Sequence, residues 1–307
     1  MHEKVYDCLI VGAGVSGYGA ALYCARFRMD TIVLSKDFGG VINWANHVGN
    51  YPGIPDITGL DLADRIKNHA LSYGAVLKLE EVENLDKLDG NFKITTTKGV
   101  YLSKSLIVAT GSEKRRLGIP GEKELEGNGV HSCAICDGFL YKGKKVGVVG
   151  GSDSAAKEAL VLAEYAEKVY ILYRKERIRA EPIIYEKILR ADNIEIINNT
   201  NVVEVKGNKK LETVVLDKPY EGMNELLLDG LFIEVGHTPL SQLVRTVGVE
   251  LNEKGEIITD KMSRTNIDGI FAAGDVTDTE FKQAITGVSQ GVTAAYMAFK
   301  YNKSRPS

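Results

Sequence analysis

The chain has 307 residues, enough for two ordinary domains, each with its own core. With 44% hydrophobic and 26% charged residues and a net charge of −3 spread over interspersed signs, it has no electrostatic reason to take nucleic acid or an anionic membrane as its main partner. No apolar run reaches the roughly 18 residues that span a bilayer. The opening MHEKVYDCLIVGAG enters a strand-and-turn pattern without a basic leader, so a cytoplasmic protein is expected.

Val5–Val11 is an apolar, β-branched run that reads as a buried parallel strand. It feeds GAGVSG, with glycines at 12, 14 and 17, then a helical pattern over 19–28 and a second short strand over 31–34. In that setting the first glycine makes the turn, the second admits a pyrophosphate and the third lets helix pack on strand. The phosphates of a dinucleotide then sit on the helix N-terminus, where free N–H groups and the dipole favour anions. Ser35 stands where an acidic residue would take a ribose hydroxyl, so the adenosine end must be held another way.

The HSCAICDGF stretch places Cys133 and Cys136 three positions apart, with Asp137 directly behind. Zinc would need two more ligands, and Cys8 and Cys24 lie in the first strand and helix, where they read as core residues; no metal site is expected. A reversible disulfide fits better. One thiolate attacks a partner's disulfide, the other resolves the mixed disulfide, and Asp137 is placed to carry the proton.

The strand–turn–helix pattern then recurs. Lys145–Val149 is a strand, GGSDSA the turn, 153–166 helical, and KVYILYRK supplies the next strand. Two dinucleotide-binding units in one chain suggest two different dinucleotides. Ser152 stands where the middle glycine would be, and its Cβ narrows the approach to a pyrophosphate. Lys157, early in the helix, opposes the dipole but offsets a phosphate's charge. The ribose position is basic, with Arg174, Lys175, Arg177 and Arg179 against Glu176. That suits a 2′-phosphate, although charge runs of this kind are also ordinary solvated faces.

These motifs together resemble the low-molecular-weight thioredoxin reductases over nearly the whole chain. GAGVSG, FGG at 38–40, NYPG at 50–53, VATG at 108–111, CAICDGFLY, GHTP at 236–239, RTNIDGIFAAGDV and KQAITG follow that family's motifs in order. The resemblance implies an α/β fold of two Rossmann-like, doubly wound dinucleotide-binding domains, the second inserted in the first. Residues 1–114 and 241–307 would bind FAD, and 115–240 would bind NADPH and carry the CxxC. The polar crossings GSEKRRLGIPGE and EVGHTPLSQ suit hinges about which the inserted domain rotates, as family members do.

Carried over residue by residue, Cys136 would be the flavin-side thiol, Cys133 the thiol that attacks the substrate, and Asp137 the acid/base. FAD would meet Gly12, Gly14, Val15, Ser16, Gly17, Ser35, Gly39, Gly40, Val41, Asn50, Thr110, Gly111, Gly274, Asp275, Lys282, Gln283 and Ala284. NADPH would meet Gly150, Gly151, Ser152, Asp153, Ser154, Arg174, Lys175 and Arg179. The partner implied is a thioredoxin-like or glutaredoxin-like protein, and the assembly a homodimer. Departures from the family pattern fall at Val41, Trp44 and Lys282 on the flavin side, and at Ser152, Tyr173 and Lys175 on the nucleotide side. The latter leave open a ferredoxin or deazaflavin donor, or a dithiol oxidase; a dinucleotide-binding redox sensor is the reading from a different class.

Overall fold

A computed structural model describes residues 4–45, 48–88 and 90–305, excluding the side chains of Trp44 and Cys136. The chain forms two compact units, Met1–Glu113 with Thr238–Ser307, and Lys114–His237. The second is therefore an insertion in the first.

In the first unit a seven-stranded sheet has Val5–Val11 at its centre, flanked by Thr31–Ser35 and Val100–Val108, with Ile270–Ala272 beyond the latter. These four strands are parallel, and their ends align: Val11 lies opposite Leu34 and Val108, and Val108 opposite Ala272. The chain therefore leaves the sheet along one edge as Gly12, Ser35, Ala109–Gly111 and Ala273–Asp275. That carboxyl edge is where doubly wound sheets take ligands. Alternation along the strands fills both faces. Cys8, Ile10, Val33, Ile107 and Phe271 meet the helical layer, while Leu9, Val11, Ile32, Leu34 and Val108 pack with Val244, Val249 and Ile257.

The helical layer begins earlier than its sequence pattern suggests. The first helix spans Val15–Arg26, with Gly14 as its N-cap, and so includes Gly17 and Gly19. The sequence pattern starts the helix at 19, after the GAGVSG turn, because Gly17 disfavours helix. Packing decides otherwise, because a Cβ at Gly17 would lie 1.9 Å from the Gly12 carbonyl oxygen and one at Gly19 would lie 3.0 Å from that of Val288. The partner helix, Ala284–Ser304, is equally close, as a Cβ at Gly291 would lie 2.1 Å from the Ser16 carbonyl.

The second unit repeats the plan with a five-stranded parallel sheet, ordered Ile194–Asn198, Lys168–Tyr173, Lys145–Val149, Gly230–Ile233 and Val130–His131. Helices Asp153–Ala163 and Pro182–Arg190 cover one face, and an antiparallel meander of Val202–Lys206, Thr213–Tyr220 and Met223–Leu227 covers the other. The strand nearest the sheet edge, Val130–His131, ends two residues before Cys133. The edge of a parallel sheet thus delivers the CxxC.

No helix among the described residues is long and apolar enough to cross a membrane. None of their His, Cys, Asp and Glu side chains form a metal-holding cluster.

Candidate active site

The first unit's turn is built by close approach. Gly12 has φ +107°, and a Cβ there would lie 2.2 Å from the Ala109 carbonyl oxygen. Gly14 by contrast meets only the Gly39 carbonyl, at 3.6 Å, and pairs with Gly39 as an isolated bridge. The Gly39 amide donates to the Ala13 carbonyl (2.7 Å) and to the Tyr18 hydroxyl (3.0 Å), whose own ionisation burial pushes up to about 12. Gly40 and Val41 follow in a short 3₁₀ turn, with Val41 exposed. Ser35 ends its strand buried, its carbonyl accepting from the Glu80 amide at 2.8 Å. Glu80, a buried acid that sequence reasoning passed over, is saturated by the Thr96 and Tyr101 hydroxyls and so is spent on structure.

The return segment closes on the same edge. The Thr110 hydroxyl donates to the Leu240 carbonyl (2.6 Å), and the Leu240 amide to the Gly111 carbonyl (3.0 Å). The Gly274 amide donates to Gln290 (2.8 Å), and Ser16 Oγ fills the space a Gly274 side chain would need. Asn50 Nδ2 donates to Gln283 Oε1 at 2.9 Å, joining loops 233 positions apart, and Gln283 caps the helix that begins at Ala284. Lys282 donates to the Asp275 (2.8 Å) and Thr277 (2.6 Å) carbonyls and pairs with Glu256 (2.9 Å), so its ammonium holds the Asp275 turn in shape. The two helix N-termini, at Val15 and Ala284, and the buried Asn43 Oδ1, which accepts no hydrogen bond, fit a dinucleotide cradle with unspent polar capacity.

In the second unit, a Cβ at Gly151 would lie 2.3 Å from the ring of Tyr173, which packs buried against the turn with its hydroxyl unpartnered. Gly150 turns the chain under the Glu234 carbonyl. Ser152 is the helix N-cap, its side chain accepting from the Ala155 amide at 3.5 Å, so the residue that replaces glycine also does a helix-capping job. The Arg179 amide donates to the Gly151 carbonyl at 2.6 Å, which brings a basic residue 28 positions downstream onto the turn. Arg174, Lys175 and Arg179 are exposed, as is Ser154. Arg177 lies over the Tyr185 ring, and Asp153 holds Lys157 at 2.5 Å and the Glu181 amide at 2.9 Å. Lys157 is therefore spent within its own helix, and three basic side chains remain for an anion.

The CxxC begins its own short turn. Cys133 is buried and disulfide-bonded, Cys8 and Cys24 are free buried thiols, and the Cys136 side chain lies outside the described residues. Ala134–Asp137 forms a single helical turn, and the Asp137 amide donates to the Cys133 carbonyl at 3.2 Å. Asp137 Oδ2 lies 2.9 Å from His131 Nδ1, and His131 Nε2 lies 2.6 Å from the Tyr141 hydroxyl. The imidazole stacks on Phe232 with ring centres 5.3 Å apart. With Asp137 ionised, one proton pattern satisfies all three groups: the tyrosine hydroxyl donates to Nε2, and Nδ1–H donates to the carboxylate. Burial, then the Asp137 charge, pushes Tyr141 up to about 12, so it keeps its proton and holds the imidazole tautomer. Sequence reasoning missed His131 and Tyr141, although both sit within ten residues of the cysteines.

Residues 6–291 match the family described as pyridine nucleotide-disulphide oxidoreductase. The thioredoxin reductase of Treponema pallidum is 40% identical over 302 residues, covering 97% of this chain and 98% of that one. The chain belongs to the thioredoxin reductase family. Two solved thioredoxin reductases agree in fold. That of Lactococcus lactis in its FR conformation has a TM-score of 0.93 at 37% identity, covering 98% of this chain and all of its own. That of T. acidophilum gives 0.92 at 36%, with the same coverage. The protein is accordingly an oxidoreductase of two Rossmann-like domains that uses a flavin and a pyridine nucleotide.

Proposed function

We propose that this protein is a thioredoxin reductase that passes two electrons from NADPH, through FAD and a Cys133–Cys136 dithiol, to a thioredoxin-like or glutaredoxin-like disulfide. The observation that carries this reading is the disulfide at Cys133 with the Asp137–His131–Tyr141 chain behind it, in the same unit as the glycine turn. The first unit would hold FAD through Gly12, Gly14, Gly39, Thr110, Gly274 and the two helix N-termini, and the second would hold NADPH through the 150–154 turn and the basic segment. Bound flavin would supply the two-electron exchange between nicotinamide and disulfide.

The residues of the chain supply the rest. Once reduced, Cys133 attacks a partner disulfide, forming one S–S bond as another breaks. Cys136 then attacks Cys133, releasing the second partner thiol and restoring the internal disulfide. Asp137, held by His131, handles the proton that the leaving thiolate takes up. Cys133 is buried, so it must be uncovered before a protein disulfide reaches it. The adjoining Phe139 and Leu140, 59% and 52% exposed, offer a partner apolar contact. By family resemblance the working form is a cytoplasmic homodimer.

Anaerobic titration of the purified yellow protein with NADPH, NADH and dithionite in turn, followed by oxidised thioredoxin, tests the reading. Bleaching by NADPH and recovery on adding thioredoxin support it, whereas a colourless protein that takes up no FAD overturns it. The side chain of Ser152, at the middle-glycine position of the second unit's turn, favours one alternative, a donor other than a nicotinamide. Bleaching by a reduced ferredoxin or deazaflavin but by neither nucleotide would establish that alternative.

His131→Ala should slow thioredoxin reduction by on the order of tenfold to a hundredfold, since a positioned acid/base contributes about 10²–10⁴. Flavin reduction by NADPH should be unchanged, and His131→Gln should recover part of the loss. Stopped-flow measurement of the two half-reactions separates these effects.

A further inference from the structure

Beneath the CxxC turn lies a second set of ionisable groups that the reaction outlined above does not use. Lys114 donates to the Ser132 carbonyl and to Glu234 Oε1, and its ammonium lies 3.6 Å from Glu158 Oε1. Glu234 is 6% exposed and directly follows the strand Gly230–Ile233; Glu158 comes from the helix Asp153–Ala163. The Glu158 carboxyl accepts from the amide of Ala134, the residue that follows Cys133 in the turn. Its other oxygen, Oε2, is buried with no hydrogen-bond partner. The residues on either side of Cys133, Ser132 and Ala134, are therefore both held by one triad of a lysine and two acids.

One lysine cannot balance two buried carboxylates. The triad reaches neutrality only if one acid is protonated. Burial, with the Glu234 charge next, pushes Glu158 up to about 8, against the partial relief given by Lys114 and the Ala134 amide. Lys114, Glu234 and the Ala134 amide are the charged and polar groups that act on it. A mere brace would be served as well by an amide in place of the buried acid, since removing a buried charge is often neutral or stabilising.

We propose that Glu158 is a positioning residue for the dithiol, and that the charge carried by the Glu158–Glu234–Lys114 triad sets how readily Cys133 ionises. With Glu158 protonated the triad is neutral and a thiolate forms beside it without opposition. Once Glu158 loses its proton the triad carries one negative charge, which opposes a second one at the neighbouring sulfur. The triad thus limits thiolate formation on the alkaline side and holds a proton close to a group that takes protons up when the disulfide is reduced.

The inference rests on the reading of Cys133 as the redox-active thiol, but its test does not need turnover. In a Cys136→Ser background, reduced chemically, the rate of Cys133 alkylation by iodoacetamide is followed from pH 6 to 10. With Glu158 present, the rate should climb in two stages, flattening around pH 8. With Glu158→Gln it should match at pH 7, follow a single simple titration, and exceed the parent severalfold at pH 9. Glu234→Gln, which also leaves one carboxylate against the lysine, should give the same single curve and guards against a folding defect in the first variant. Superimposable curves for all three proteins overturn the proposal and leave the triad a brace. A thiol that alkylates as expected in a protein that never reduces thioredoxin would instead fault the functional reading alone.

Discussion

Cys136→Ser is expected to abolish thioredoxin reduction while leaving flavin reduction by NADPH intact. The electron path needs both sulfurs, because a single thiol can exchange with a partner disulfide but cannot resolve the product. The variant should retain the first chemical step. Offered a thioredoxin whose exposed cysteine carries a thionitrobenzoate, its Cys133 thiolate should displace the coloured thiolate and leave a covalent one-to-one complex. Cys133→Ser should neither release the chromophore nor form the complex, since Cys136 is assigned to the flavin side. Complex formation by Cys133→Ser but not by Cys136→Ser would exchange the two roles. Asp137 ends the helical turn Ala134–Asp137 and is held by His131 of the preceding strand, so neither variant should disturb the proton chain.

Where chemistry is carried by spacing, it was legible. The two glycine turns and the CxxC follow from residues close together in the chain, each with a local physical reason, whereas the insertion of one unit in another was implied only by the family resemblance. The start of the first helix was not legible, because Gly17 and Gly19 are there for backbone contacts with Gly12 and Val288, one of them nearly 270 residues away. The roles of single cations were hidden for the same reason. Lys282 is committed to two carbonyls and Glu256, and Lys157 to Asp153, so neither is free in the way that a residue name suggests. Glu158 and Glu234 lie 76 positions apart, and nothing in either segment signals that they share a lysine beneath the cysteines. His131 was a miss within reach, since it stands two residues before the CxxC. Its partners are a carboxylate six residues on and a tyrosine ten residues on, brought together only because the chain folds into a helical turn and a 3₁₀ turn between them.

Arg174→Ala combined with Arg179→Ala is expected to erase a preference for NADPH over NADH. Arg174 and Lys175 follow the strand Lys168–Tyr173 directly, and the Arg179 backbone is tied to the Gly151 carbonyl. The three residues thus lie in the segment that borders the glycine turn, where the proposed NADPH site puts the ribose 2′ position. The one acid within that segment, Glu176, stands against four cations, and Asp153 is engaged by Lys157 and the Glu181 amide. A charge-assisted hydrogen bond is worth about 1.5–3 kcal/mol, so two would favour the phosphorylated cofactor by about two to four orders of magnitude. These side chains are exposed, and solvent and salt screening reduce that to at least about tenfold. The wild type should therefore show a KM for NADPH at least about tenfold below that for NADH, with the gap narrowing as ionic strength rises. The double variant should raise the KM for NADPH and leave NADH nearly unaffected, whereas Ser152→Gly, acting on the pyrophosphate common to both, should shift the two together. Its lost helix cap costs only a few tenths of a kcal/mol, so folding should not obscure the result. Equal KM values in the wild type, or a double variant that weakens both cofactors alike, would show that the basic segment is a solvated face and that the 2′ position goes unread.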